Sequence, residues 1–533
     1  MVIRKVAVIG AGASGLSAIK SCLEEGLEPI CFEKGTDIGG LWNYHEDNRH
    51  GHASVFKSTT INTSKEIMAF SDFPIPSKYP NFMPHNYVLA YFRLYADRFK
   101  LLPYIKFNIC VESIKPNADY ALNGKWDICF RDVTKQEVVT QTFDAVLVCT
   151  GHHVDPNVPE FPGQDDFKGK IVHTHDYKNF YGYENKRVVV IGTGNSGGDA
   201  AVDLANVTSQ VFLSTRRGTW VIFRIADSGL PGDFVGVRRY ISEWLPESML
   251  VGILEKMMNK RFDHALFGLL PKHRANQQQL MVNDALPNVI QTGRICVKPN
   301  VKRFTNTGVE FEDGTFEDGI DSVVMATGYK IKFTFLDESV VKVNDNEVSL
   351  YKYVFPPLLK HGTLAVIGLV QPIGSTVPIA EIQSRWATRV FTGAAKLPPK
   401  DIMLADINAK REAMASRYIK SQRYTIQVDY IPYMDEIAAQ FGVRPNFKKL
   451  FFTDPKLAFK CYFGPFSTYQ YRLIGPGKWE GARETIVTIW DRVAAPLNTR
   501  KVEMPQRDSS FGGILKMLVF LVAFLAVFWK CCQ

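Results

Sequence analysis

Two copies of one short pattern constrain the fold of this chain more than any other feature. Each copy has a run of β-branched residues, then glycines spaced G-x-G-x-x-G, then a helical pattern; the glycines are Gly10, Gly12, Gly15, Gly192, Gly194 and Gly197. In such a unit the first glycine permits a tight turn, the second lets the backbone approach a pyrophosphate, and the third permits close packing of helix on strand. The sequence therefore predicts an α/β protein with two Rossmann-like domains, each able to hold one dinucleotide.

The residues about twenty positions after each motif distinguish the two ligands. A second strand follows the first motif and ends at Glu33, whose carboxylate suits a ribose with a free 2′-hydroxyl, as in FAD or NAD. The second motif is followed by Thr215, Arg216 and Arg217, with no acid. Guanidinium groups suit a 2′-phosphate, as in NADPH, although two arginines alone could be an exposed basic loop. Together the motifs predict hydride transfer from NADPH to a flavin.

Two further stretches fit a flavoprotein. Paired glycines at 39 and 40 precede Leu41 and Trp42, and the stretch 39–42 is expected to lie along the flavin. Residues 45–84 are rich in aromatic, proline and hydroxyl side chains, which predicts an ordered loop lining a pocket. Within that loop the polar run 58–64 contains a single large apolar residue, Ile61. Composition alone is equally compatible with a structural turn there.

A second repeat predicts how the two domains are connected. An acidic residue, an apolar strand and then Thr-Gly occur twice, ending once at Gly151 and again at Gly328. Both copies are at positions where nested domains would cross over. Helices are expected at 86–99 and 381–391, and a strand with a glycine turn at 364–372. The predicted domains are 1–154 (FAD-binding, first part), 155–330 (NADPH-binding, with a helical insertion at about 218–294), 331–445 (FAD-binding, second part), 446–510 (helices and loops) and 511–533 (membrane anchor).

Composition excludes several other classes. A chain of 533 residues can form two or three packed domains, and its net charge of +9 is spread along the chain without a dense basic block. No nucleic-acid partner is therefore expected. The nine cysteines form neither a metal-ligand pattern nor an extracellular disulfide framework. We expect a reducing compartment and no metal site.

The two ends of the sequence differ in character. The first apolar run is already the strand before Gly10, so no signal peptide is expected. Residues 511–529 are almost entirely apolar and have about the minimum length for a membrane span. Lys516 could extend to the lipid surface, so the segment could also lie in the interface, pack as a buried helix, or mediate association into a homo-oligomer. An anchor at this end predicts a catalytic body facing the cytosol.

Residues 167–177 carry the most specific motif, F-x-G-x-x-x-H-x-x-x-Y, just ahead of the second glycine motif. With this motif, GAGASG at 10–15, GGLW at 39–42, NTSKE at 62–66, GTGNSGGD at 192–199, ATGY at 326–329 and the apolar tail, the whole chain resembles the vertebrate flavin-containing monooxygenases of the endoplasmic reticulum. The fingerprint of the related Baeyer–Villiger enzymes ends in tryptophan where this chain has Tyr177.

The resemblance implies a reaction as well as a fold. NADPH reduces FAD, the reduced flavin captures O₂ as a C4a-hydroperoxide, and the distal oxygen passes to soft nucleophiles, chiefly tertiary amines and sulfides of lipophilic xenobiotics. The chemistry belongs to the cofactor, and the protein supplies position, dryness and hydrogen bonds. Residence in the endoplasmic reticulum membrane, with lipid as a partner, is implied as well.

The resemblance and the motifs together give the candidate site. Asn62 is the predicted catalytic residue, because its amide could hold NADP⁺ and the flavin peroxide in register. His173 and Tyr177 are expected to support packing between the domains. The predicted cofactor-binding residues are Gly10, Ala11, Gly12, Ala13, Ser14, Gly15, Glu33, Gly40, Leu41, Trp42, Ile61, Asn62, Thr63, Gly192, Gly194, Asn195, Ser196, Gly197, Gly198, Asp199, Thr215, Arg216, Arg217 and Gln371.

Four alternatives stay open at this stage. The same flavin intermediate, deprotonated, inserts oxygen beside a ketone carbonyl, and some relatives carry out this Baeyer–Villiger reaction. An uncoupled NADPH oxidase would release hydrogen peroxide instead. A disulfide reductase shares the nested fold but needs a cysteine pair beside the flavin, which the chain lacks after Gly40 and near Asn195. A membrane-tethered flavoprotein sensor or scaffold belongs to a different class. His52 and Phe56, where relatives commonly carry arginine and tyrosine, leave the substrate range open.

Overall fold

A computed structural model describes residues 3–49 and 51–500 of the chain. Its first sheet is parallel and has five strands, in the spatial order Leu364–Val366, Ala145–Val148, Lys5–Ile9, Glu28–Phe32 and Ile105–Lys106. The strands Leu364–Val366, Ala145–Val148 and Lys5–Ile9 are short, largely apolar and almost fully buried, as expected for a parallel sheet covered by helices. The helices Ala13–Glu24 and Thr376–Phe391 pack against each other beside this sheet.

The second sheet repeats this architecture. Its five parallel strands have the order Ile295–Lys298, Gln210–Ser214, Arg187–Ile191, Ser322–Met325 and Lys170–His173. The helix Asn195–Ala205 follows the central strand Arg187–Ile191, as the helix Ala13–Glu24 follows Lys5–Ile9 in the first sheet. Separate buried clusters form the two cores. The prediction of an α/β fold with two parallel sheets is therefore confirmed.

The acidic residues of the Thr-Gly repeat have matching places in the two sheets. The Asp144 carboxylate accepts hydrogen bonds from the backbone N–H groups of Arg4 and Lys5, at 3.0 and 2.9 Å. The Asp321 carboxylate accepts one from Arg187 N–H at 2.8 Å. Each acid thus satisfies a backbone donor where the central strand of its sheet begins. The two halves of the molecule share this detail as well as their topology.

The chain crosses between the sheets at two adjacent places. Strand Asp155–Pro156 pairs antiparallel with Tyr329–Lys330, so the outgoing and returning segments form one short ribbon. Thr327 Oγ1 donates to Asn157 O at 2.5 Å, and Asn157 N–H donates to Gly328 O at 2.8 Å. The second sheet thus lies within a segment that leaves and re-enters the first at a single point.

Smaller elements surround these sheets. A three-stranded antiparallel sheet contains Ile109–Pro116, Trp126–Asp132 and Glu137–Phe143, and a second contains Val301–Phe304, Val309–Phe311 and Phe316–Glu317. The stretch 218–294 contains the helices Gly232–Gly236, Arg239–Trp244, Glu247–Arg261 and Leu286–Gln291 and the paired strands Val221–Ile222 and Met281–Val282, joined by irregular segments.

The predicted helices are present with small shifts of boundary. The helix expected at 86–99 is His85–Arg98, and the helix expected at 381–391 begins earlier, as Thr376–Phe391. The remaining α-helices are Lys65–Met68, Tyr120–Asn123, Lys400–Arg417, Tyr430–Ala439, Phe447–Thr453, Pro455–Phe463, Ala482–Val487 and Ile489–Ala494. Within 3–49 and 51–500, no helix combines the length and apolar character needed to cross a bilayer. The predicted anchor, 511–533, lies outside the described residues.

Candidate functional site

The first glycine motif has the backbone geometry that its sequence predicts. Gly10 has φ +97°, and a Cβ there would lie 2.9 Å from Cys149 O. A Cβ on Gly15 would lie 1.8 Å from Gly10 O, because the helix starts directly against the turn. The turn after Leu364–Val366 also reaches this loop, since a Cβ on Gly368 would lie 2.4 Å from Ser14 Oγ. Only glycine fits these close approaches.

Glu33 and Gly40 adjoin the same loop. The Glu33 carboxylate is 9% exposed and accepts hydrogen bonds from Ala11 N–H and Gly35 N–H, both at 2.7 Å. Gly39 N–H donates to Ala11 O at 3.1 Å, which brings Gly40 against Gly12, where an added Cβ would lie 3.2 Å from Gly12 Cα. Bare backbone and one buried carboxylate therefore form the surface that the first motif offers to a dinucleotide.

The second motif repeats this arrangement with one difference. Gly192 has φ +111°, and a Cβ there would lie 2.6 Å from Ala326 O, while a Cβ on Gly197 would lie 1.9 Å from Gly192 O. The added neighbour is the Arg423 guanidinium, whose two Nη atoms both lie 2.8 Å from the position of a Cβ on Gly194. A cation therefore lies over the glycine that should approach a pyrophosphate.

A cavity of about 260 Å³ joins the two halves of the molecule. Of the predicted residues, it is lined by Leu41, Trp42, Ile61, Asn62, Gly194, Asn195, Ser196, Asp199 and Gln371. The other predicted residues lie outside this cavity, in the two glycine turns, at the two strand ends and beside Asn62. The flavin-side and nicotinamide-side predictions thus meet in one space, which a hydride donor and acceptor would need to share.

Asn62 is fixed by a residue of the helical insertion. Arg224 Nη2 donates to Asn62 Oδ1 at 2.8 Å, and Arg224 Nε donates to Ile61 O at 3.2 Å. Arg224 in turn pairs with Asp284, whose Oδ2 lies 3.0 Å from Nη1. With its carbonyl occupied, the Asn62 amide keeps its N–H groups as donors for a ligand in the cavity. The polar run 58–64 is therefore held in place by the insertion, through contacts that an isolated turn would not have.

Asp233 holds the other end of the Asn62 segment. Its Oδ2 accepts a hydrogen bond from Ser64 N–H at 2.6 Å, and its buried Oδ1 has no hydrogen-bond partner among residues 3–49 and 51–500. Burial raises the pKa of Asp233 to about 6, although hydrogen bonds from Ser64 oppose the shift. The insertion at 218–294 thus supports the Asn62 segment on two sides.

The residues predicted for the 2′-phosphate have unequal surroundings. Thr215 is buried, shares a 3.0 Å hydrogen bond with Thr193 Oγ1, and accepts Gly218 N–H at 3.0 Å, so its hydroxyl holds the turn. Arg216 and Arg217 are exposed at the end of strand Gln210–Ser214. The two guanidinium groups therefore remain available to an anionic ligand. Thr215, by contrast, uses its hydroxyl to connect the glycine turn at Thr193 with the backbone of Gly218.

Asn195 and Asp199 attach the insertion to the second motif. Asn195 Oδ1 accepts Val282 N–H at 2.8 Å, and Asp199 Oδ1 accepts a hydrogen bond from Asn283 Nδ2 at 2.9 Å. Burial raises the pKa of Asp199 to about 6, partly offset by Arg224. Both side chains line the cavity, and each also accepts a hydrogen bond from the insertion.

Aromatic rings gather where the two sheets join. The rings of His153 and His173 lie 5.2 and 5.3 Å from the Tyr329 ring, and His152 adjoins His153 at 4.3 Å. Burial lowers the pKa of His153 and of His173 to about 4, so both are neutral at physiological pH. This group packs the crossover region next to the cavity.

The fingerprint tyrosine lies between the two domains. Tyr177 OH donates to Asp203 Oδ2 at 2.6 Å, and its ring meets Phe56 at 5.4 Å, edge to face. Phe56 belongs to the pocket loop 45–84, whereas Asp203 belongs to helix Asn195–Ala205. Tyr177 therefore contacts both domains, in keeping with the packing role expected for it.

Sequence reasoning missed several residues of this site. Arg224, Asp233 and Asp284 belong to the insertion, to which no chemistry was assigned, and Gln279 and Arg423 occur in no recognised motif. Arg423 Nη2 and Gln371 Nε2 both donate to Gln279 Oε1, at 3.3 and 2.7 Å. These residues reach the site through tertiary contacts, and no local pattern in the sequence would have identified them.

The residues present fit two dinucleotides. Each glycine turn lies beside a helix N-terminus, where phosphates bind readily, and the Arg423 guanidinium lies over the second turn at Gly194. Glu33 offers a buried carboxylate at the first turn, while Arg216, Arg217 and Arg423 supply positive charge near the second. An unphosphorylated ribose at the first site and a 2′-phosphate at the second match these charges.

Comparison with known proteins places the chain in a family. A family model described as flavin-binding monooxygenase-like matches residues 3–532. Flavin-containing monooxygenase 5 of Mus musculus is 54% identical over 531 residues, covering 98% of each chain. Dimethylaniline monooxygenase [N-oxide-forming] 2 of Rattus norvegicus is 46% identical over 533 residues, covering 99% of each.

Solved structures agree in fold. S-allyl-L-cysteine S-oxygenase from Allium sativum superposes with a TM-score of 0.63 at 26% identity, covering 86% of this chain and 92% of that one. Cyclohexanone monooxygenase from Rhodococcus sp. Phi1 bound to NADP⁺ has a TM-score of 0.58 at 17% identity, covering 82% and 97%. The second likeness concerns the fold alone. The chain belongs to the flavin-containing monooxygenase family and is an FAD- and NADPH-dependent monooxygenase.

Proposed function

We propose that this enzyme oxygenates soft heteroatoms, namely the nitrogen of tertiary amines and the sulfur of sulfides in lipophilic xenobiotics. FAD would occupy the first glycine turn with Glu33 at its ribose, and NADPH the second turn with Arg216 and Arg217 at its 2′-phosphate. The bound flavin supplies the activation of O₂. The protein would orient the two cofactors, exclude water from the cavity, and offer the Asn62 amide as a hydrogen-bond donor.

The observation that carries this proposal is the pairing of Arg224 with Asp284 behind Asn62, at 3.0 Å. Transfer of an electrophilic oxygen to an amine or sulfide uses a neutral, protonated oxidant, whereas Baeyer–Villiger attack on a ketone uses an anionic one. An uncompensated guanidinium next to Asn62 would favour the anion. Because Asp284 compensates the charge of Arg224, this guanidinium does not favour the anionic oxidant next to Asn62. The names of two relatives, an N-oxide-forming monooxygenase and an S-oxygenase, support the same substrate class.

The decisive experiment follows the flavin spectrum and then the products. Purified enzyme is reduced anaerobically by NADPH and mixed with aerated buffer containing a thioether, a tertiary amine or a ketone. We expect sulfoxide and N-oxide in amounts close to the NADPH consumed. Ester as the main product would favour the Baeyer–Villiger reaction. Stoichiometric hydrogen peroxide with every substrate would favour an oxidase, and FAD binding without turnover would favour a sensor.

Replacing Asp284 by Asn tests the charge argument directly. The amide retains a hydrogen-bond acceptor for Arg224 but removes the compensating charge, so the ratio of ester to sulfoxide is expected to rise about 10-fold. The measurement is product analysis with a thioether and a ketone in competition. Asp227→Asn is the matched control, because that exposed carboxylate pairs with Lys260 and Arg261, away from Asn62. An unchanged product ratio in Asp284→Asn would contradict the role given to the pair.

We also propose the domain boundaries and the location of the protein. Residues 1–154 and 331–445 would form the FAD-binding domain, 155–330 the NADPH-binding domain, and 446–510 a C-terminal cover. Residues 511–533 would anchor the enzyme to the endoplasmic reticulum membrane with its body in the cytosol. Removal of these residues should release active enzyme from microsomes without detergent, as measured by fractionation and activity. Retention of the truncated enzyme in the membrane fraction would contradict the anchor.

A further inference from the structure

The segment that carries Arg423 comes from outside the second dinucleotide domain. Residues 417–426 follow helix Lys400–Arg417 and precede strand Gln427–Val428, which pairs with Gln371–Pro372. The segment nevertheless crosses to the second glycine motif, where the Arg423 guanidinium covers Gly194. A dinucleotide on this motif would therefore be contacted from two sides, by its own domain and by the segment 417–426.

The position of Arg423 is fixed by contacts on both sides of it. Ile419 N–H donates to Gln277 O at 3.2 Å, and Asn346 Nδ2 donates to Gln422 O at 3.1 Å. Thr425 Oγ1 donates to Asn346 O at 2.6 Å. The backbone carrying Arg423 is thus attached to the insertion on one side and to the hairpin Val343–Val348 on the other. The guanidinium is held ready before a ligand arrives, which lowers the entropic cost of binding.

The charge of Arg423 is not neutralised in the part of the chain that the structure describes. No carboxylate there lies within 4.0 Å of its guanidinium, and its side-chain hydrogen bond goes to the neutral amide of Gln279 at 3.3 Å. By contrast, Arg417 on the same segment pairs with Glu247 at 3.1 Å and Asp429 at 2.8 Å. A preorganised guanidinium beside a cavity, facing a glycine turn and a helix N-terminus, suits an anion.

Arg216 and Arg217 lie near the same segment. Burial raises the pKa of Tyr424, and the positive charges of Arg423, Arg217 and Arg216 oppose that shift. Several cations in this region suit an anionic ligand with more than one phosphate group. In the glycine-turn geometry the pyrophosphate lies over the second glycine, and the 2′-phosphate lies beyond the next strand end. Arg423 is over Gly194, whereas Arg216 and Arg217 follow strand Gln210–Ser214.

We propose that Arg423 is a pyrophosphate-binding residue for NADPH. Its guanidinium would contact the nucleotide from the side opposite helix Asn195–Ala205. The proposal deepens the function proposed above and rests on its assignment of the second glycine motif to NADPH. Arg423 and the helix N-terminus would share the pyrophosphate, while Arg216 and Arg217 would recognise the 2′-phosphate. Because both NAD⁺ and NADP⁺ contain a pyrophosphate, Arg423 would contribute to affinity and not to the choice between them.

The test is calorimetric titration of the oxidised, FAD-loaded enzyme with NADP⁺ and with NAD⁺. Arg423→Gln is expected to raise both dissociation constants by the same factor, about 10- to 100-fold, as for loss of a charge-assisted hydrogen bond. Arg423→Lys, which keeps the charge but not the fork, should lie between wild type and Arg423→Gln. Lys420→Gln is the matched control, because it removes an exposed charge three positions away that lines a different cavity of about 290 Å³. FAD content and melting temperature should stay as in wild type.

Arg216→Gln and Arg217→Gln separate this proposal from the assignment on which it depends. They should raise the dissociation constant of NADP⁺ alone. If they do so while Arg423→Gln changes neither ligand, the NADPH assignment stands and the role of Arg423 is wrong. If Arg423→Gln weakens only NADP⁺, the pyrophosphate contact is wrong. If none of these variants alters binding, the assignment of the second motif is wrong, and the proposal for Arg423 with it.

Discussion

Asn62 occupies a segment whose conformation is imposed by distant residues. Arg224 binds its side-chain carbonyl and the backbone carbonyl of Ile61, and Asp233 binds the backbone N–H of Ser64. Small displacements of a catalytic group are costly, since reacting atoms must be held to within fractions of an ångström. The insertion therefore has a function at the scale of single side chains, namely to fix one amide beside the cavity.

Replacing Asn62 by Ala is expected to preserve FAD binding and to reduce coupling of NADPH oxidation to product. Loss of a positioned donor lowers turnover about 100-fold, while oxygen still reacts with the reduced flavin and leaves as hydrogen peroxide. The measurement compares product, peroxide and NADPH consumed. Asn62→Asp is the informative companion, because it keeps the acceptor for Arg224 and removes the donor. Normal coupling in either variant would contradict the proposed role.

Asp233 should make stability depend on pH in an unusual direction. Burial raises its pKa from 3.8 to about 6, so the native state holds this proton more tightly than the unfolded chain. Its stabilising contribution is full below about pH 4 and is lost as pH rises through about 6, a change of about 3 kcal/mol. Asp233→Asn lacks this titration, so its stability relative to wild type should increase by that amount between pH 4 and pH 7. Urea unfolding at several pH values measures the difference, and a pH-independent difference would contradict the assignment.

At the residue scale, local chemistry made part of the site predictable. Gly12 and Gly194 belong to the two glycine motifs, and Glu33 follows the first motif at the expected distance. The spacing in each case has a physical reason, and each residue lies where the spacing requires. Arg224 and Arg423 do not, because an arginine in a long helical or irregular stretch has no local feature that distinguishes it from a solvated surface charge. Their role depends on which backbone atoms face them after folding.

The helices Ala13–Glu24 and Glu247–Arg261 show how the effect of a glycine depends on its surroundings. In helix Ala13–Glu24, Gly15 lets the strand and helix approach until a Cβ would lie 1.8 Å from Gly10 O. In helix Glu247–Arg261, Gly252 has no atom within 4 Å of an added Cβ. The same residue type is thus a packing requirement in one helix and a local weakness in the other.

One substitution in these two helices is expected to have opposite results. Gly15→Ala should abolish FAD retention, because backbone cannot move aside for the methyl group. Gly252→Ala should raise the free energy of unfolding by about 0.5 to 1 kcal/mol, because alanine restricts the unfolded chain and favours the helix. Flavin absorbance per protein and urea unfolding measure the two effects. Retained FAD in Gly15→Ala would contradict the packing argument.

The periodicity of the sequence predicted the buried strands of the two parallel sheets better than it predicted the exposed strand of a neighbouring antiparallel sheet. Strands such as Arg187–Ile191 are continuous apolar runs, and their parallel pairing follows from the helices between them. The strand Glu137–Phe143 was not predicted, since six of its seven residues are exposed or half-buried. It is an edge strand whose formation depends on pairing with Trp126–Asp132.

At the scale of the whole molecule, a buried charge cluster joins distant parts of the chain. Arg472 is 1% exposed and lies 2.8 Å from Glu381 and 2.9 Å from Asp72. Lys20 on the first helix completes the cluster, 2.6 Å from Asp72. Although burial opposes ionisation, Arg472 and Lys20 hold the pKa of Asp72 below its ordinary value. The C-terminal region is therefore attached to the first domain through charges that cannot be left unpaired.

Arg472→Gln is expected to lower the free energy of unfolding by about 3 to 5 kcal/mol, since two buried carboxylates each lose an ion-pair partner. Arg483 is the matched control, because its ion pair with Asp454 is exposed, with 51% of the arginine side chain accessible. Arg483→Gln should change the melting temperature little. Thermal unfolding of both variants measures the contrast. Equal effects would contradict the importance given to burial.

The strand order of the first sheet has a consequence for synthesis of the protein. Strand Leu364–Val366 pairs with Ala145–Val148, so this edge of the first sheet cannot form until roughly 200 residues after Val148 have been translated. At typical translation rates the ribosome takes about 10 to 40 s over that interval. The second sheet, whose strands all lie between Lys170 and Met325, is complete before then. The apolar edge of strand Ala145–Val148 therefore stays unpaired while the domain of the second sheet folds first. We expect the nascent chain to need a chaperone most during this interval.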